Sequence, residues 1–144
     1  MQAAVDVLRA AEVARACHRW QTDVTGRPYF DAHVVEVHRR VARESTAVQA
    51  VALLHDALTG AGCTEDELGR DFPAHVVDAV LALTPRSGET PAQYYERVRA
   101  DPLARQVKLA DLEVLTDPAR LTELDEAARA RLTEEHRAAL AVLS

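Results

Sequence analysis

The sequence predicts an all-α fold, a single-domain irregular helical bundle. Two observations carry this prediction. Apolar residues recur at helical spacing along the 144-residue chain, and no alternating strand pattern of useful length interrupts them. The five glycines and six prolines are scattered rather than clustered, so no low-complexity linker divides the chain. A chain of this length can bury a substantial core, and we expect one domain over residues 1–144.

The first predicted helix covers about Gln2 to Gln21. The residues on its apolar face are Ala10, Val13, Cys17 and Trp20. Cys17 and Cys63 form no CxxC motif. We therefore expect free thiols in a reducing cytoplasm, with Cys17 as a small core residue.

A turn-rich connection follows over residues 22–28, where Gly26 supplies backbone freedom. The second predicted helix begins near Asp31. Its inward-facing residues are Val34, Val37 and Val41. The third predicted helix begins after residues 45–46 and extends to about Leu58.

Capping residues predict the remaining helices. Thr64, with Glu67 three residues later, matches a capping box and begins a short helix that ends near Phe72. Helical spacing returns over Pro73–Thr84, and the last predicted helix covers about Asp125–Leu143. Three further helices begin with a capping residue followed by proline: Thr90-Pro91, Asp101-Pro102 and Asp117-Pro118.

Charge and hydropathy exclude some classes of partner. The net charge of −6 argues against a surface that binds nucleic-acid phosphates. No apolar run approaches the roughly 18 residues of a membrane span, and no secretory pattern begins the sequence. These features predict a cytoplasmic protein with no membrane and no nucleic-acid partner, and they are compatible with a homo-oligomer.

Polar residues lie on two apolar helical stripes. His55 shares the stripe of the third helix with Asp56 at its border, and Asp111 shares the stripe of the helix after Pro102. A buried carboxylate needs a compensating cation. Taken alone, a buried Asp111 could be paired with an arginine, and a buried His55 could be bonded to a backbone carbonyl. The combination of His55, Asp56 and Asp111 instead favours a divalent metal bound by nitrogen and oxygen atoms. Such a metal would lower the pKa of a bound water.

Four segments in order resemble a known family. They are GRPYF at 26–30, VALLHDAL followed by TED at 64–66, AVLALT, and VKLADL. The combination resembles the HD hydrolase domain of RelA/SpoT-type proteins and their small single-domain relatives, over roughly residues 3–143. The resemblance implies an HD-type helical fold and a manganese-dependent removal of the 3′-pyrophosphate of (p)ppGpp.

The resemblance also implies a ligand set. The family binds its metal through a His after the Pro-Tyr motif, the His-Asp pair and the Asp of KLAD. These positions are His33, His55, Asp56 and Asp111. Manganese is the first candidate, with iron, nickel, zinc or cobalt as alternatives. One extra residue separates Tyr29 from His33 relative to the family pattern.

Other family positions differ in this chain. The acidic pair of the HDxxED motif, which positions or activates water, is replaced by Thr59 and Gly60. Leu115 stands where an Asn usually follows KLAD, and Gln21 and Thr22 stand where long-form hydrolases have a basic pair. Loss of a general base typically lowers the rate about 10²–10⁴-fold.

These comparisons define candidate catalytic and substrate-binding residues. The catalytic candidates are Asp56, Thr59 and Glu65. Glu65 and Asp66 are the nearest acidic replacements, although first-turn acids usually face solvent. The substrate-binding candidates, each of which surface charge or core packing would also explain, are Arg27, Lys108, Arg97 and Tyr94.

We therefore expect a metal-dependent phosphohydrolase acting on a nucleotide, similar to (p)ppGpp 3′-pyrophosphohydrolases. The alternative is a catalytically degenerate HD domain that binds metal and nucleotide without turnover. A diiron oxygenase of the same fold requires two more His ligands between the His-Asp pair and the last Asp. Only His75 lies in that interval, which disfavours this third class.

Overall fold

The computed structural model describes residues 5–59 and 62–144. These ranges contain nine α-helices and one π-helical turn, and no β-strand beyond an isolated bridge between Thr22 and Pro28. The helices are α1 (Val7–Cys17), α2 (Val35–Arg40), α3 (Thr46–Leu54), α4 (Glu65–Asp71), α5 (Ala74–Ala82), α6 (Pro91–Arg99), α7 (Pro102–Leu115), α8 (Pro118–Leu121) and α9 (Glu126–Leu143). The predicted all-α class is confirmed.

Helix α3 lies at the centre of the core. It packs against α1, α2, α5 and α7, and all but its first residues and Gln49 are buried. The hydroxyl of Ser45 accepts the backbone N–H of Val48 at 3.2 Å and begins the helix. The helix ends at Leu54, four residues before the predicted end at Leu58, and His55 is its C-terminal cap. A buried helix end therefore delivers the His55-Asp56 pair to the interior.

The capping residues begin the helices as predicted. Thr90 and Gln93 form a reciprocal capping box at the start of α6. The carboxylates of Asp101 and Asp117 accept backbone N–H groups in the first turns of α7 and α8. The cap on Asp101 fixes the start of α7, the helix that carries Asp111.

Helix α1 is shorter than the sequence suggested. It ends at Cys17, so Trp20 lies beyond the helix and is 88 % exposed rather than on an inward face. The predicted start at Gln2 lies outside the described residues. The prediction extended the apolar period into a segment whose backbone has already turned away from the helix axis.

Cys17 and Cys63 form a disulfide, so the expectation of free thiols is wrong. Their Cα atoms are 5.5 Å apart although the two residues are separated by 46 positions in the sequence. The bond joins the end of α1 to the segment before α4. No local motif marks such a pair, because the fold alone brings the two residues together.

The π-helical turn Phe30–Val34 precedes α2 and has room for the extra residue that the RelA/SpoT resemblance implies between Tyr29 and His33. The N–H of Val35 donates to the carbonyl of Phe30, five residues earlier, instead of to the usual fourth. One wide turn therefore takes up the additional residue, and His33 remains buried.

The connection between α1 and the π turn is a tight loop. Gly26 has a positive φ of 86°, which confirms the predicted use of its backbone freedom. The Asp23 carboxylate closes the loop by accepting the backbone N–H groups of Thr25 and Arg27. None of the helices in the described ranges has the length and apolar character of a membrane span.

Candidate metal centre and adjoining cavity

Three side chains from distant parts of the sequence meet in the core. Ligand atoms of His33, His55 and Asp111 all lie within 4.8 Å of one another. His33 Nε2 is 2.7 Å from Asp111 Oδ1, and His55 Nε2 is 3.5 Å from the same oxygen. The three residues are only 2 %, 3 % and 6 % exposed. The π turn, the end of α3 and the middle of α7 therefore converge on one buried cluster.

Asp56 lies at the edge of this cluster. Its Oδ2 atom is 3.1 Å from His55 Nε2, and its side chain is 27 % exposed. The Tyr29 hydroxyl donates a hydrogen bond to the same carboxylate oxygen. Asp56 thus faces His55 and Tyr29 on one side and is partly open to solvent.

The orientation of His55 suits metal binding. Its Nδ1 lies 2.6 Å from the Ala52 carbonyl oxygen, and donation of an N–H to that carbonyl directs Nε2 towards the carboxylates. Metal-ligating histidines usually donate their second ring N–H in this way. His55 Nε2 and His33 Nδ1 are buried without a hydrogen-bond partner in the described structure. The imidazole and carboxylate donors fit a divalent ion that accepts mixed nitrogen and oxygen ligands.

Opposing effects act on the charges of the cluster. Burial favours the neutral form of His55, but Asp56 and Asp111 outweigh it and raise the pKa of His55 well above its ordinary value. Burial would raise the pKa of Asp111, yet Lys108 and the two histidines hold it well below its usual range. Positive charge on His55 and Lys108 therefore balances the buried carboxylates of Asp56 and Asp111.

Lys108 is bound to the cluster from within α7. Its Nζ atom lies 3.0 Å from Asp111 Oδ2 and 5.4 Å from the centre of the Tyr94 ring. The Tyr94 hydroxyl in turn donates to the Leu83 carbonyl at 2.8 Å. Lys108 therefore neutralises part of the charge of the Asp111 carboxylate. A substrate that contacts Lys108, as predicted, would compete with Asp111 for its ammonium group.

A cavity of about 360 Å³ adjoins the cluster. The segment after α1 and the helices α8 and α9 form much of its wall, and Tyr29 and His33 form the part nearest the cluster. The lining residues are Gln21, Thr22, Asp23, Val24, Thr25, Arg27, Tyr29, His33, Leu115, Arg120, Glu123, Leu124, Ala128, Arg131 and Leu132. Its volume lies in the roughly 300–1,000 Å³ range of small-molecule sites.

Three positions that were expected to differ from the RelA/SpoT-type pattern lie in this cavity wall. They are Gln21, Thr22 and Leu115. Of the five positions expected to differ from that pattern, these three therefore lie around one cavity, whereas Thr59 does not line it and Gly60 lies outside the described residues. The sequence alone did not show this grouping, because Leu115 is far from Gln21 and Thr22 in the chain.

Arginines supply the positive charge of the cavity. The guanidinium of Arg27 is 2.9 Å from a Glu123 carboxylate oxygen, and Arg120 donates to the Ala32 carbonyl at 2.8 Å. Arg131 has no carboxylate within ion-pair distance in the described part of the chain. Arg120 and Arg131 were not identified from the sequence, since α8 and α9 carry no motif that marks them.

The Arg97 guanidinium is held in place by hydrogen bonds within the fold. Its N–H groups donate to the Glu89 carboxylate and to the carbonyls of Leu81, Ala82 and Thr84 at the end of α5. Neither Arg97 nor Tyr94 lines the cavity. To contact a substrate as predicted, Arg97 would have to give up these hydrogen bonds, and Tyr94 would have to give up its bond to the Leu83 carbonyl.

The remaining catalytic candidates lie at the surface. Thr59 is exposed, and its backbone N–H donates to the Asp56 carbonyl at 3.1 Å. Glu65 and Asp66 are exposed in the first turn of α4. Gly60 lies outside the described residues. The roles of Thr59 and Glu65 stay predictions, and neither residue lines the cavity.

Tyr29 is a site residue that the sequence analysis did not assign. Its ring lies 5.2 Å from the His33 ring, and its hydroxyl is bonded to Asp56. Burial and the Asp56 carboxylate raise the pKa of the Tyr29 hydroxyl, which keeps it protonated as a donor. The available signal was its place in the GRPYF segment, directly before the predicted ligand.

This chain resembles known proteins in its fold rather than in its sequence. The sequence itself matches no protein-family model and no curated protein. Among solved structures, the chain is similar to a metazoan ortholog of SpoT that hydrolyzes ppGpp and plays a role in starvation responses. The two share 19 % identity with a TM-score of 0.80, over 99 % of this chain and 88 % of the other. The fold implied by the RelA/SpoT resemblance is thereby confirmed.

Proposed function

We propose that this chain is a metal-dependent phosphohydrolase that acts on a nucleotide, with (p)ppGpp as the first candidate substrate. The observation that carries the proposal is the convergence of His33, His55 and Asp111, with Asp56 at their edge, beside a cavity of about 360 Å³. The structural neighbour, a ppGpp hydrolase, supports the same substrate class.

In this proposal His33, His55, Asp56 and Asp111 hold one divalent ion, with manganese first and iron, nickel, zinc or cobalt as alternatives. When bound, such an ion stabilises charge on phosphoryl oxygens and provides a water nucleophile near neutral pH. The Ala52 carbonyl orients His55, and the Tyr29 hydroxyl orients Asp56. Lys108 offsets the negative charge of Asp111.

The cavity would orient the nucleotide. Arg131, with no carboxylate partner in the described structure, and Arg27, which shares its charge with Glu123, can approach phosphate oxygens. Leu115, Leu124 and Leu132 form an apolar wall against which a base or ribose can pack. We assign the phosphate end of the substrate to the side lined by Tyr29 and His33, because that side adjoins the cluster.

A binding module without turnover is the second candidate function. The observations that favour it are the replacement of the HDxxED acids by Thr59 and Gly60 and the grouping of Gln21, Thr22 and Leu115 in the cavity wall. Such a chain would bind the metal through the same cluster. It would lack either the acidic residue that positions the attacking water or a cavity wall that fits (p)ppGpp.

Release of phosphate and pyrophosphate from a nucleotide panel that includes ppGpp tests the proposal. The manganese-loaded protein would be compared with His55→Ala and with His75→Ala, which removes an exposed histidine of α5 as a matched control. We expect release by wild type and His75→Ala and loss in His55→Ala. Stoichiometric metal with no release from any nucleotide would favour the binding module instead.

A further inference from the structure

His18, directly after α1, is a buried histidine that the proposed chemistry does not use. It is 2 % exposed, and its Nδ1 atom lies 2.7 Å from the side-chain oxygen of Gln21. Its other ring nitrogen, Nε2, is buried without a hydrogen-bond partner in the described structure. A buried polar atom without a partner destabilises a fold, so its presence calls for a reason other than stability.

The His18 ring is the outer member of a chain of aromatic contacts that leads into the metal cluster. Its centroid is 5.1 Å from that of Tyr29, which is 5.2 Å from that of His33. His33 in turn is 5.4 Å from His55. Two of the four rings belong to proposed metal ligands, and His18 is the member farthest from them along this chain of contacts.

Tyr29 is the member through which His18 can act. The Tyr29 hydroxyl donates to Asp56 Oδ2, the atom that also faces His55 Nε2 at 3.1 Å. A displaced Tyr29 ring would withdraw this hydrogen bond and free the carboxylate to turn towards solvent. Groups that orient metal ligands in this way typically change metal affinity about 10–100-fold when they are removed.

The position of the His18 ring is itself fixed on two sides. Gln21 holds Nδ1, and the preceding residue, Cys17, is joined to Cys63 by the disulfide. The ring therefore has little freedom to turn or withdraw, and it offers Tyr29 a rigid packing surface.

We infer that His18 is a positioning residue of the metal centre, which fixes Asp56 by packing against Tyr29. This inference rests on the proposed metal site but does not depend on catalytic turnover. It assigns a role in metal affinity to a residue that touches neither the ion nor the substrate.

Manganese titration of chelator-treated protein by calorimetry tests the inference. We expect His18→Leu, which keeps apolar volume but loses the planar ring, to weaken manganese binding about tenfold. His18→Phe restores a ring without the Gln21 contact and should recover part of the affinity. His38→Leu is the matched control, because His38 also contacts a glutamine side chain, Gln49, at 3.2 Å, but belongs to no ring contact with the cluster.

A double-mutant cycle shows whether the effect passes through the tyrosine hydroxyl. In a Tyr29→Phe background, His18→Leu should add little to the loss of affinity, because the hydrogen bond to Asp56 is already absent. Urea unfolding of the apo proteins separates affinity from stability, and we expect His18→Leu to unfold close to wild type since it removes an unpaired buried nitrogen.

Wild-type manganese affinity in His18→Leu would overturn the inference, as would full additivity of the two substitutions. A wild-type protein that binds no manganese would overturn both this inference and the proposed function. A wild-type protein that binds manganese without hydrolysing any nucleotide would remove the proposed function alone, and the affinities of the variants would still decide the role of His18.

Discussion

The Nε2 atom of His33 lies 2.7 Å from Oδ1 of Asp111, although the two residues are 78 positions apart. His33 lies within the π turn Phe30–Val34, which holds one residue more than an α-helical turn. A π turn of this kind is equivalent to an α-helical turn with one residue inserted. The π turn and the long-range contact with Asp111 therefore meet at His33.

Deletion of the exposed Asp31 should convert the π turn into an α-helical turn. His33 would still face Asp111, so we expect manganese affinity close to that of wild type by calorimetry. Insertion of one alanine after Asp31 is the control, because it moves His33 out of register and should abolish binding. Loss of manganese binding in the deletion would show that the π turn itself is required.

Substitution of Lys108 by Met would leave the buried Asp111 without its ammonium partner. Removal of one member of a buried ion pair is expected to lower the free energy of unfolding by about 3 kcal/mol. Saturating manganese should recover part of this loss, since the ion supplies positive charge beside Asp111. Urea unfolding with and without manganese measures both values, and an equal loss under the two conditions would contradict the proposed position of the ion.

The Cys17–Cys63 disulfide closes a loop with a sequence separation of 46 residues, within which His33, His55 and Asp56 lie. Cys63→Ser should lower the free energy of unfolding by about 2–4 kcal/mol, because the open unfolded chain gains entropy. Urea unfolding of the variant should coincide with that of wild type in a dithiol reductant. Two reactive thiols in the native, unreduced wild-type protein would contradict the pairing.

Stability at acid pH should depend on Glu89. Its hydrogen bonds with Arg97 lower the pKa of the Glu89 carboxyl from 4.5 to about 2. Because the folded-state pKa is depressed, this pair contributes stability above pH 4.5, and the contribution is lost as the pH falls towards about 2. Urea midpoints of wild type and Glu89→Gln should converge across this interval, and a constant separation between the two would exclude the linkage.

The acidic pair that this chain lacks can be restored. In a hydrolase limited by the absence of a positioned base, Thr59→Glu with Gly60→Asp should raise the rate of nucleotide hydrolysis, within the roughly 10²–10⁴-fold range of general-base effects. Thr59→Gln with Gly60→Asn matches the size without the charge. The same rate in all three proteins would show that the replacement of these residues does not limit the chemistry.

The parts of the fold that depend on local chemistry could be predicted from the sequence. Thr90, Asp101 and Asp117 begin helices as expected, because a capping side chain followed by proline determines a helix start within a few residues. The inward positions of His55 and Asp111 likewise follow from the helical period.

The parts that depend on contacts between distant segments could not be predicted. The apolar period near Trp20 continues beyond the true end of α1, and nothing close to Cys17 indicates Cys63 as its partner. The cavity likewise combines Gln21, Leu115 and Arg131 from three separate segments. Only the packing of the helices brings these residues together.

Anomalous diffraction from crystals soaked in manganese would test the central claim most directly. The proposal predicts one strong peak with the nitrogen and oxygen atoms of His33, His55, Asp56 and Asp111 as its direct ligands. His55→Ala crystals soaked in the same way should lose most of the peak. A peak elsewhere, or a wild-type cluster whose side chains remain joined only to one another and to Lys108, would contradict the assignment of a metal centre.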